Sequence, residues 1–243
     1  MMIKISTRIM IFAVTLAVLA TIIQAQETGP VEETGGMGYS IFGQTTIAMD
    51  DMNTRLESKG YTGLSDKFFS VGGGGHSILK EKWIIGGEAH VLLGDDAVTG
   101  NYTSSILINY GFANFGIVAW SMKDLRVYPL LGLGGGSMNL KIRENLSSLS
   151  MDEVLDNPER GVNLVTGGVL LNLALGVDYL ISFGEDEEGR GGMMLGFRAG
   201  YTLAPFKGGW TMDDIEITGA PEIGITGPYI RLMIGGGGFS RNK

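Results

Sequence analysis

The sequence predicts an all-β fold, an eight-stranded antiparallel up-and-down transmembrane β-barrel with four long loops on one rim and short turns on the other. Apolar residues alternate with small or polar ones over long segments, which indicates strands with one apolar side. Glycines account for 40 of the 243 residues. That is over twice the usual share of about 7% and suits a narrow, coiled barrel better than helices. Long and short connections also alternate along the chain.

The first 25 residues have the pattern of a secretory signal peptide. Lys4 and Arg8 precede an apolar run, Ile9–Ile23, and Ala25 stands before the expected cleavage site. The run is shorter than the about twenty residues that a membrane-spanning helix needs, so we expect cleavage. A flexible periplasmic lead-in is predicted at residues 26–36, followed by the barrel at 37–243.

Removal of the signal peptide takes away two basic residues and no acidic one, which changes the formal net charge from −8 to −10. An acidic chain without a basic stripe argues against a nucleic-acid partner. The chain has no cysteine, so neither a disulfide framework nor a lipoprotein anchor is expected.

The first half of the chain supplies four strands, predicted at Met37–Met49, Lys67–Leu79, Trp83–Leu93 and Thr103–Ser121. Apolar residues recur at every second position, which is the period of a strand. In the first strand the apolar set is Tyr39, Ile41, Ile47 and Met49, and the other set is Ser40, Gln44 and Thr46. The alternation slips near Ala113–Asn114 in the fourth strand, which predicts a β-bulge there.

The second half supplies the other four strands, predicted at Arg126–Ile142, Gly161–Ser182, Gly191–Phe206 and Pro228–Phe239. In the fifth, the even positions from Tyr128 to Ile142 are the apolar ones or glycine. The sixth strand is the longest. At about 3.3 Å per residue it exceeds the apolar band of an outer-membrane barrel, about 25 Å tall, so the wall should continue beyond the lipid.

Two of the long loops contain short helical patterns. Asp50 is expected to cap a helix over Met52–Lys59, and Ser150 with Glu153 forms a capping-box pattern for a helix that ends at Asn157–Pro158.

Successive connections of an up-and-down barrel lie at opposite ends. The four long loops therefore share one rim and the three short turns the other, as in outer-membrane barrels.

The less apolar face distinguishes a membrane barrel from a soluble, lipocalin-like one. A surface in water carries charged residues at roughly a quarter of its positions or more. Here that face is mostly Gly, Ser, Thr, Asn and Ala, with about one charge per strand in the clearest strands. It is therefore predicted to line a narrow lumen, and the apolar face to meet lipid. Five aromatic residues are predicted on the lipid side as girdles: Tyr39, Trp83, Tyr128, Tyr179 and Tyr201.

With these strands, the loop parity, the signal peptide and a last strand GPYIRLMIGGGGF, the chain resembles the small outer-membrane β-barrel proteins, including opacity-type and OmpX-like barrels. The resemblance covers essentially the whole mature chain and is architectural, so it transfers no active site. It implies a protein of the outer membrane of a Gram-negative bacterium, with outer-membrane lipid and the insertion machinery as partners. Such proteins usually end on an aromatic residue, whereas here Ser240–Lys243 follow Phe239.

Seven polar residues are predicted to line the lumen as a structural network: Gln44, Glu88, His90, Asn172, Asp178, Arg198 and Arg231. Two arginines in a poorly solvated interior need carboxylates. We therefore expect Asp178 or Glu88 to reach one of the arginines and to plug the barrel. Glu88 and His90 could share a proton or a metal, but the only further histidine is His76. No cofactor, metal site or catalytic residue is expected, and the glycine runs lack a phosphate-loop pattern.

The expected function is a structural, surface-interaction or adhesive role of the long loops, with an extracellular ligand or a host surface as partner. A narrow pore for small solutes is the first alternative. A lipid-modifying outer-membrane hydrolase is the second; its only cue, His76–Ser77, is weak because adjacent strand residues face opposite sides. A hydrolase needs Glu88, His90 or His76 beside a nucleophile at a lipid-facing opening, whereas a lumen filled with paired polar groups favours the structural role.

Overall fold

The computed structural model describes residues 33–146, 148, 150–156, 161–185 and 189–241. The predicted signal peptide, most of the predicted lead-in and the predicted helix end at Asn157–Pro158 lie outside these residues. The two helices are α1 (Asp50–Glu57) and α2 (Met151–Asp156). The strands are β1 (Glu33–Thr46), β2 (Lys67–Leu79), β3 (Trp83–Leu93), β4 (Ala97–Thr99), β5 (Tyr102–Ile117), β6 (Trp120–Met122), β7 (Leu125–Glu144), β8 (Gly161–Glu185), β9 (Gly189–Lys207), β10 (Trp210–Met212), β11 (Ile215–Ile217) and β12 (Gly227–Arg241).

Eight of the strands form a closed antiparallel barrel, which confirms the predicted fold class. Their order around the barrel is β1, β2, β3, β5, β7, β8, β9 and β12. The barrel closes because β12 also pairs with β1, from Glu33 opposite Arg241 to Thr45 opposite Tyr229. Closure leaves the wall without a free sheet edge. Neither helix in the described part of the chain is long and apolar enough to cross a membrane.

The strand bounds differ from the sequence prediction mainly at the ends. The predictions for β2 and β3 match residue for residue, whereas β1 begins at Glu33 instead of Met37, and β12 continues past Phe239 to Arg241. The terminal segments pair with each other. Backbone hydrogen bonds therefore extend both strands past the residues whose alternation of apolar and polar side chains predicts a strand.

The predicted bulge at Ala113–Asn114 is wrong. β5 pairs with β3 and β7 in unbroken register through these residues. The alternation slips in the sequence because Tyr110 and Phe112 are buried inside the barrel while Asn109 points outward. Register shifts occur instead between β8 and β9.

The outer wall is apolar on most strands. Leu173, Leu175 and Tyr179 on β8 are 39%, 54% and 47% exposed. The outward residues of β3 and β9 are similar, and they include Trp83, Ile85, Val91, Leu195, Phe197, Tyr201 and Leu203. The predicted facing of β3, β8 and β9 is therefore confirmed. A continuous wall of exposed apolar side chains matches lipid and would be unfavourable in water.

The predicted facing of β1 and β7 is wrong. Tyr39 on β1 and Tyr128 on β7 are buried inside the barrel, whereas Leu131 and Leu133 of β7 point outward. Both faces of β7 are apolar there, so alternation alone does not identify the lipid side. Pairing with the neighbouring strands decides the facing, and a one-residue slip inverts every side chain. Tyr39 and Tyr128 are therefore lumen residues and not part of an aromatic girdle.

Two apolar clusters fill the ends of the lumen. The upper cluster lies at the long-loop rim and combines wall residues with loop residues. Its members include Ile47, Met49, Met52, Leu56, Leu64, Phe68, Leu92, Ile108, Met138, Leu170, Trp210, Ile223 and Ile225. The lower cluster lies at the short-turn rim and contains Met37, Tyr39, Ile41, Ile78, Ile84, Val118, Tyr128, Leu130, Leu180, Met194, Met233 and Phe239.

The helix α1 covers the mouth of the barrel. Met52 and Leu56 stand four residues apart, so they share a face, and both are buried in the upper cluster. The Asn53 side chain fixes the loop by donating to the Leu64 carbonyl at 2.9 Å and accepting from the Leu64 N–H at 2.8 Å. The predicted cap at Asp50 is wrong. The helix starts at Asp50 itself, and Met49 occupies the N-cap position without a side-chain bond.

The capping box of α2 is confirmed. The Glu153 N–H donates to Ser150 Oγ at 3.2 Å, and the Ser150 N–H donates to Glu153 Oε2 at 2.8 Å. This reciprocal pair fixes the start of a six-residue helix that would be too short to persist alone.

The outward position of Leu173 gives a direct test of the lipid-facing wall. Leu173→Arg is expected to lower the free energy of unfolding in lipid vesicles by about 2–4 kcal/mol, because it places a charge near the bilayer midplane. Asn163→Arg is the matched control, since Asn163 is exposed and ten residues from Leu173 along β8, so the two side chains share a face. Asn163 lies beyond the apolar wall, so this substitution should lower the free energy of unfolding by less than about 1 kcal/mol. Equal losses in a denaturant titration would contradict the assigned wall.

Candidate functional site

A belt of polar side chains crosses the lumen between the two apolar clusters, and its centre is Glu88. Arg198 on β9 and Arg231 on β12 are direct cross-strand partners, a placement that like charges disfavour. Glu88 on β3 lies between them. Its Oε1 accepts from Arg231 Nη1 at 3.1 Å, and its Oε2 accepts from Arg198 Nη1. These three residues are at most 6% exposed, so one carboxylate bridges two buried guanidiniums.

A ring of contacts continues from Arg198 toward the lower cluster. Its Nη2 donates to the hydroxyls of Tyr128 and Tyr39, at 3.2 and 3.5 Å. The Tyr128 hydroxyl donates to Asp178 Oδ2 at 2.9 Å, and His76 Nε2 lies 3.3 Å from the same oxygen. His76 Nδ1 then lies 3.2 Å from the Tyr39 hydroxyl and closes the ring. Asp178 is therefore linked to Arg198 through the Tyr128 hydroxyl, which accepts a hydrogen bond from Arg198 and donates one to Asp178.

A second branch continues from Arg231. Its Nη2 donates to the Tyr110 hydroxyl at 2.7 Å, and its guanidinium stacks 3.5 Å from the centre of the Tyr229 ring. The Tyr229 hydroxyl donates to Asn172 Oδ1 at 2.7 Å. Arg231 is thus held by a carboxylate, a hydroxyl and an aromatic face, a combination that compensates the loss of hydration.

His90 connects Glu88 to a serine. His90 Nε2 lies 3.4 Å from Glu88 Oε1, and His90 Nδ1 lies 3.4 Å from Ser70 Oγ. The order of serine, histidine and carboxylate is that of a nucleophile with its base and orienting group. However, Ser70 is 0% and His90 2% exposed. Ser70, the nucleophile of such an arrangement, is therefore shielded from any lipid outside the wall.

Six of the seven predicted lumen residues lie in the belt: Glu88, His90, Asn172, Asp178, Arg198 and Arg231. The placement of Gln44 is wrong, because Gln44 is exposed on the outer face of β1. Its cross-strand partners there are Phe69 and Ile230, both more than half exposed. Ser40 and Gln44 face outward because Tyr39 and Ile41 occupy the lumen side.

Sequence reasoning missed the aromatic part of the belt and two of its hydrogen-bonding residues. The missed members are Tyr39, Ser70, His76, Tyr110, Tyr128 and Tyr229. One of them had a usable signal, since Tyr229 stands two residues before Arg231 and must share its face. Among the described residues, no group of three or more His, Asp or Glu is arranged to hold a metal ion.

No family model and no curated protein matches the chain. Several solved structures are similar to it in fold. Ail, the attachment invasion locus protein of Yersinia pestis, has 10% identity and a TM-score of 0.43 over 87% of this chain and 99% of that one. Neisserial surface protein A has 9% identity and a TM-score of 0.36 over 85% and 96%. The outer membrane protein OprG from Pseudomonas aeruginosa has 11% identity and a TM-score of 0.33 over 86% and 95%. Likeness at this level concerns the fold alone.

The wall and the belt together define the class of protein. Backbone polar groups cannot remain unpaired in lipid, and a closed barrel pairs all of them within the wall. An even number of antiparallel strands, an apolar outside and a polar centre are the features of an outer-membrane barrel. The chain is an outer-membrane β-barrel protein.

Proposed function

We propose that this protein is a sealed surface protein, in which the barrel is a membrane anchor and the long loops make the functional contacts with an extracellular ligand or a host surface. The filled lumen carries this proposal. The belt closes the centre, the two apolar clusters close both ends, and α1 covers the mouth. A barrel that is closed along its axis offers no path for solutes, so its contacts with other molecules are made through its outer surface.

The structured loops support this role. The hydroxyl of Thr99 accepts from the Thr62 N–H at 2.6 Å and donates to the Thr62 hydroxyl at 2.7 Å, which joins the first loop to the second. The fourth loop is fixed by Trp210, whose indole N–H donates to the Pro221 carbonyl at 3.0 Å. A surface whose loops are already ordered loses less conformational entropy when it binds a partner.

Electrical recording tests the sealed lumen. The purified protein in planar lipid bilayers is expected to give no stepwise current, because ions cannot pass a dehydrated ion pair between two apolar clusters. A porin, whose larger barrel encloses an aqueous channel, serves as the positive control. Reproducible single-channel steps from the protein would favour the narrow pore instead.

Single cysteines test which rim faces outward, and the chain contains no native cysteine. Asp96→Cys and Thr218→Cys lie on exposed long loops, and we expect both to react with a membrane-impermeant thiol reagent on intact cells. Ser121→Cys is an almost isosteric change on the short-turn rim, at an exposed position of β6, and should react only after the outer membrane is permeabilised. The opposite labelling pattern would exclude a surface role for the long loops.

A further inference from the structure

The wall rises higher on one side of the barrel and ends in a crest. We define the crest as residues 143–146, 150–156 and 212–216, which comprise the end of β7, α2 and the tip of the β10–β11 hairpin. Arg143 at the end of β7 pairs with Gly161 at the start of β8. Thr211 of β10 pairs antiparallel with Val165 of β8, so the hairpin tip points toward the same end of the sheet as α2.

The crest stands well beyond the lipid. Leu131 and Leu133 are the exposed apolar residues of β7, whereas the outward positions beyond Gly135 are Ser137, Asn139, Lys141 and Arg143. The eight residue steps from Gly135 to Arg143 rise roughly 20 Å at the usual strand tilt. Acyl chains therefore do not reach the crest, and lipid does not account for apolar side chains there.

The crest nevertheless exposes large apolar side chains. Met151 and Leu155 on α2 are 72% and 66% exposed, and Ile215 on the hairpin is 66% exposed. Leu146, between β7 and α2, is 41% exposed. Met151 and Leu155 stand four apart and therefore share a face of the helix. All of these side chains lie at the same high end of the β7–β8 wall, and apolar groups exposed to water there are typical of an interaction site.

The charges around these side chains have one predominant sign. The crest contains seven carboxylates, Glu144, Asp152, Glu153, Asp156, Asp213, Asp214 and Glu216, and one basic residue, Arg143. The guanidinium of Arg143 lies 3.7 Å from the Asp96 carboxylate. An apolar face with an acidic margin is complementary to a segment that has an apolar face and basic margins.

We propose that the crest docks a cationic amphipathic segment of an extracellular protein. This inference rests on the proposed surface function and specifies its partner by chemistry. Met151, Leu155 and Ile215 contact the apolar face of the segment, while the surrounding carboxylates attract its lysine or arginine margins. The attraction operates mainly within the Debye length, about 8 Å at physiological salt, so binding weakens as salt increases.

The test measures binding of a defined peptide to the full mature protein in phosphatidylcholine nanodiscs. The probe is a leucine–lysine peptide of about 18 residues with helical periodicity, which forms about five turns. The same composition in scrambled order is the control peptide, and empty nanodiscs correct for binding to lipid. The periodic peptide is expected to bind the protein at least about tenfold more tightly than the scrambled one, a difference of about 1.4 kcal/mol.

Two variants separate the apolar and charged contributions. Met151→Ser/Leu155→Ser/Ile215→Ser removes exposed apolar groups and keeps every charge. Asp152→Asn/Asp156→Asn/Asp213→Asn/Asp214→Asn removes four charges, and asparagine tolerates the positive φ of 48° and 64° at residues 213 and 214. Each variant is expected to weaken binding at least about tenfold. All of these positions are exposed, and the barrel melting transition verifies that the variants fold.

The possible outcomes are distinct. Equal binding of the two peptides, no binding, or unchanged binding to either variant would overturn the docking site. A lipid-embedded α2 would also overturn it, and Met151→Trp would reveal this through fluorescence quenching by brominated acyl chains in the absence of peptide. The electrical recordings test the sealed barrel separately. Currents with intact peptide binding would remove the sealed-barrel proposal and leave the docking site in place.

Discussion

Glu88→Gln is expected to lower the free energy of unfolding by about 3–5 kcal/mol, because it leaves two buried charges without their shared carboxylate. Glutamine keeps the size and shape of the side chain, so a cavity does not contribute. Arg198 and Arg231 face each other across adjacent strands and are each 1% exposed. Without the negative charge their repulsion and their lost hydration are both uncompensated.

Denaturant titration of the protein folded in lipid vesicles measures this effect. Glu222→Gln is the matched control, since it makes the same chemical change at an exposed position and should alter stability by less than about 0.5 kcal/mol. The double variant Glu88→Gln/Arg198→Met is expected to be more stable than Glu88→Gln alone, because it removes one of the two repelling charges. A Glu88→Gln protein as stable as the control would mean that the ion pair does not hold the belt together.

The strands and their order could be predicted from the sequence because they depend on local patterns. A period of two identifies a strand, and the alternation of long and short connections assigns each loop to a rim. The facing of β3, β8 and β9 could also be predicted, since one face of each carries Glu88, Asp178 or Arg198 among small residues. A single charged residue on one face is therefore enough to identify the face of the strand that points into the lumen.

The facing of β1 and β7 could not be predicted in this way. An aromatic residue such as Tyr128 fits a lipid girdle and a packed lumen equally well by composition alone. The difference lies in its partners, and these are distant in the chain. Arg198 donates to the hydroxyl of Tyr39, 159 residues away, and to that of Tyr128, 70 residues away. Only the closed barrel brings these groups together, so the aromatic half of the belt was missed.

The position of Tyr128 on β7 depends on a glycine directly across the sheet. Gly176 of β8 is the cross-strand partner of Tyr128 and points into the lumen. The tyrosine ring lies over this glycine, so a Cβ atom at residue 176 would overlap the ring. Only a residue without a side chain lets the Tyr128 hydroxyl reach both Asp178 and Arg198.

Gly176→Val is therefore expected to lower the free energy of unfolding by about 3–5 kcal/mol, from overpacking and from two lost hydrogen bonds. Valine has the higher strand propensity, so backbone preference alone would predict the opposite sign. Gly38→Val is the matched control on the outer face of β1, where a Cβ would meet nothing within 4 Å, and it should leave stability unchanged or raised. In a Tyr128→Ala background Gly176→Val should lose most of its effect, because the ring that it displaces is absent. Equal stability of the Gly176→Val and Gly38→Val proteins in the same titration would contradict the packing of Tyr128 on Gly176.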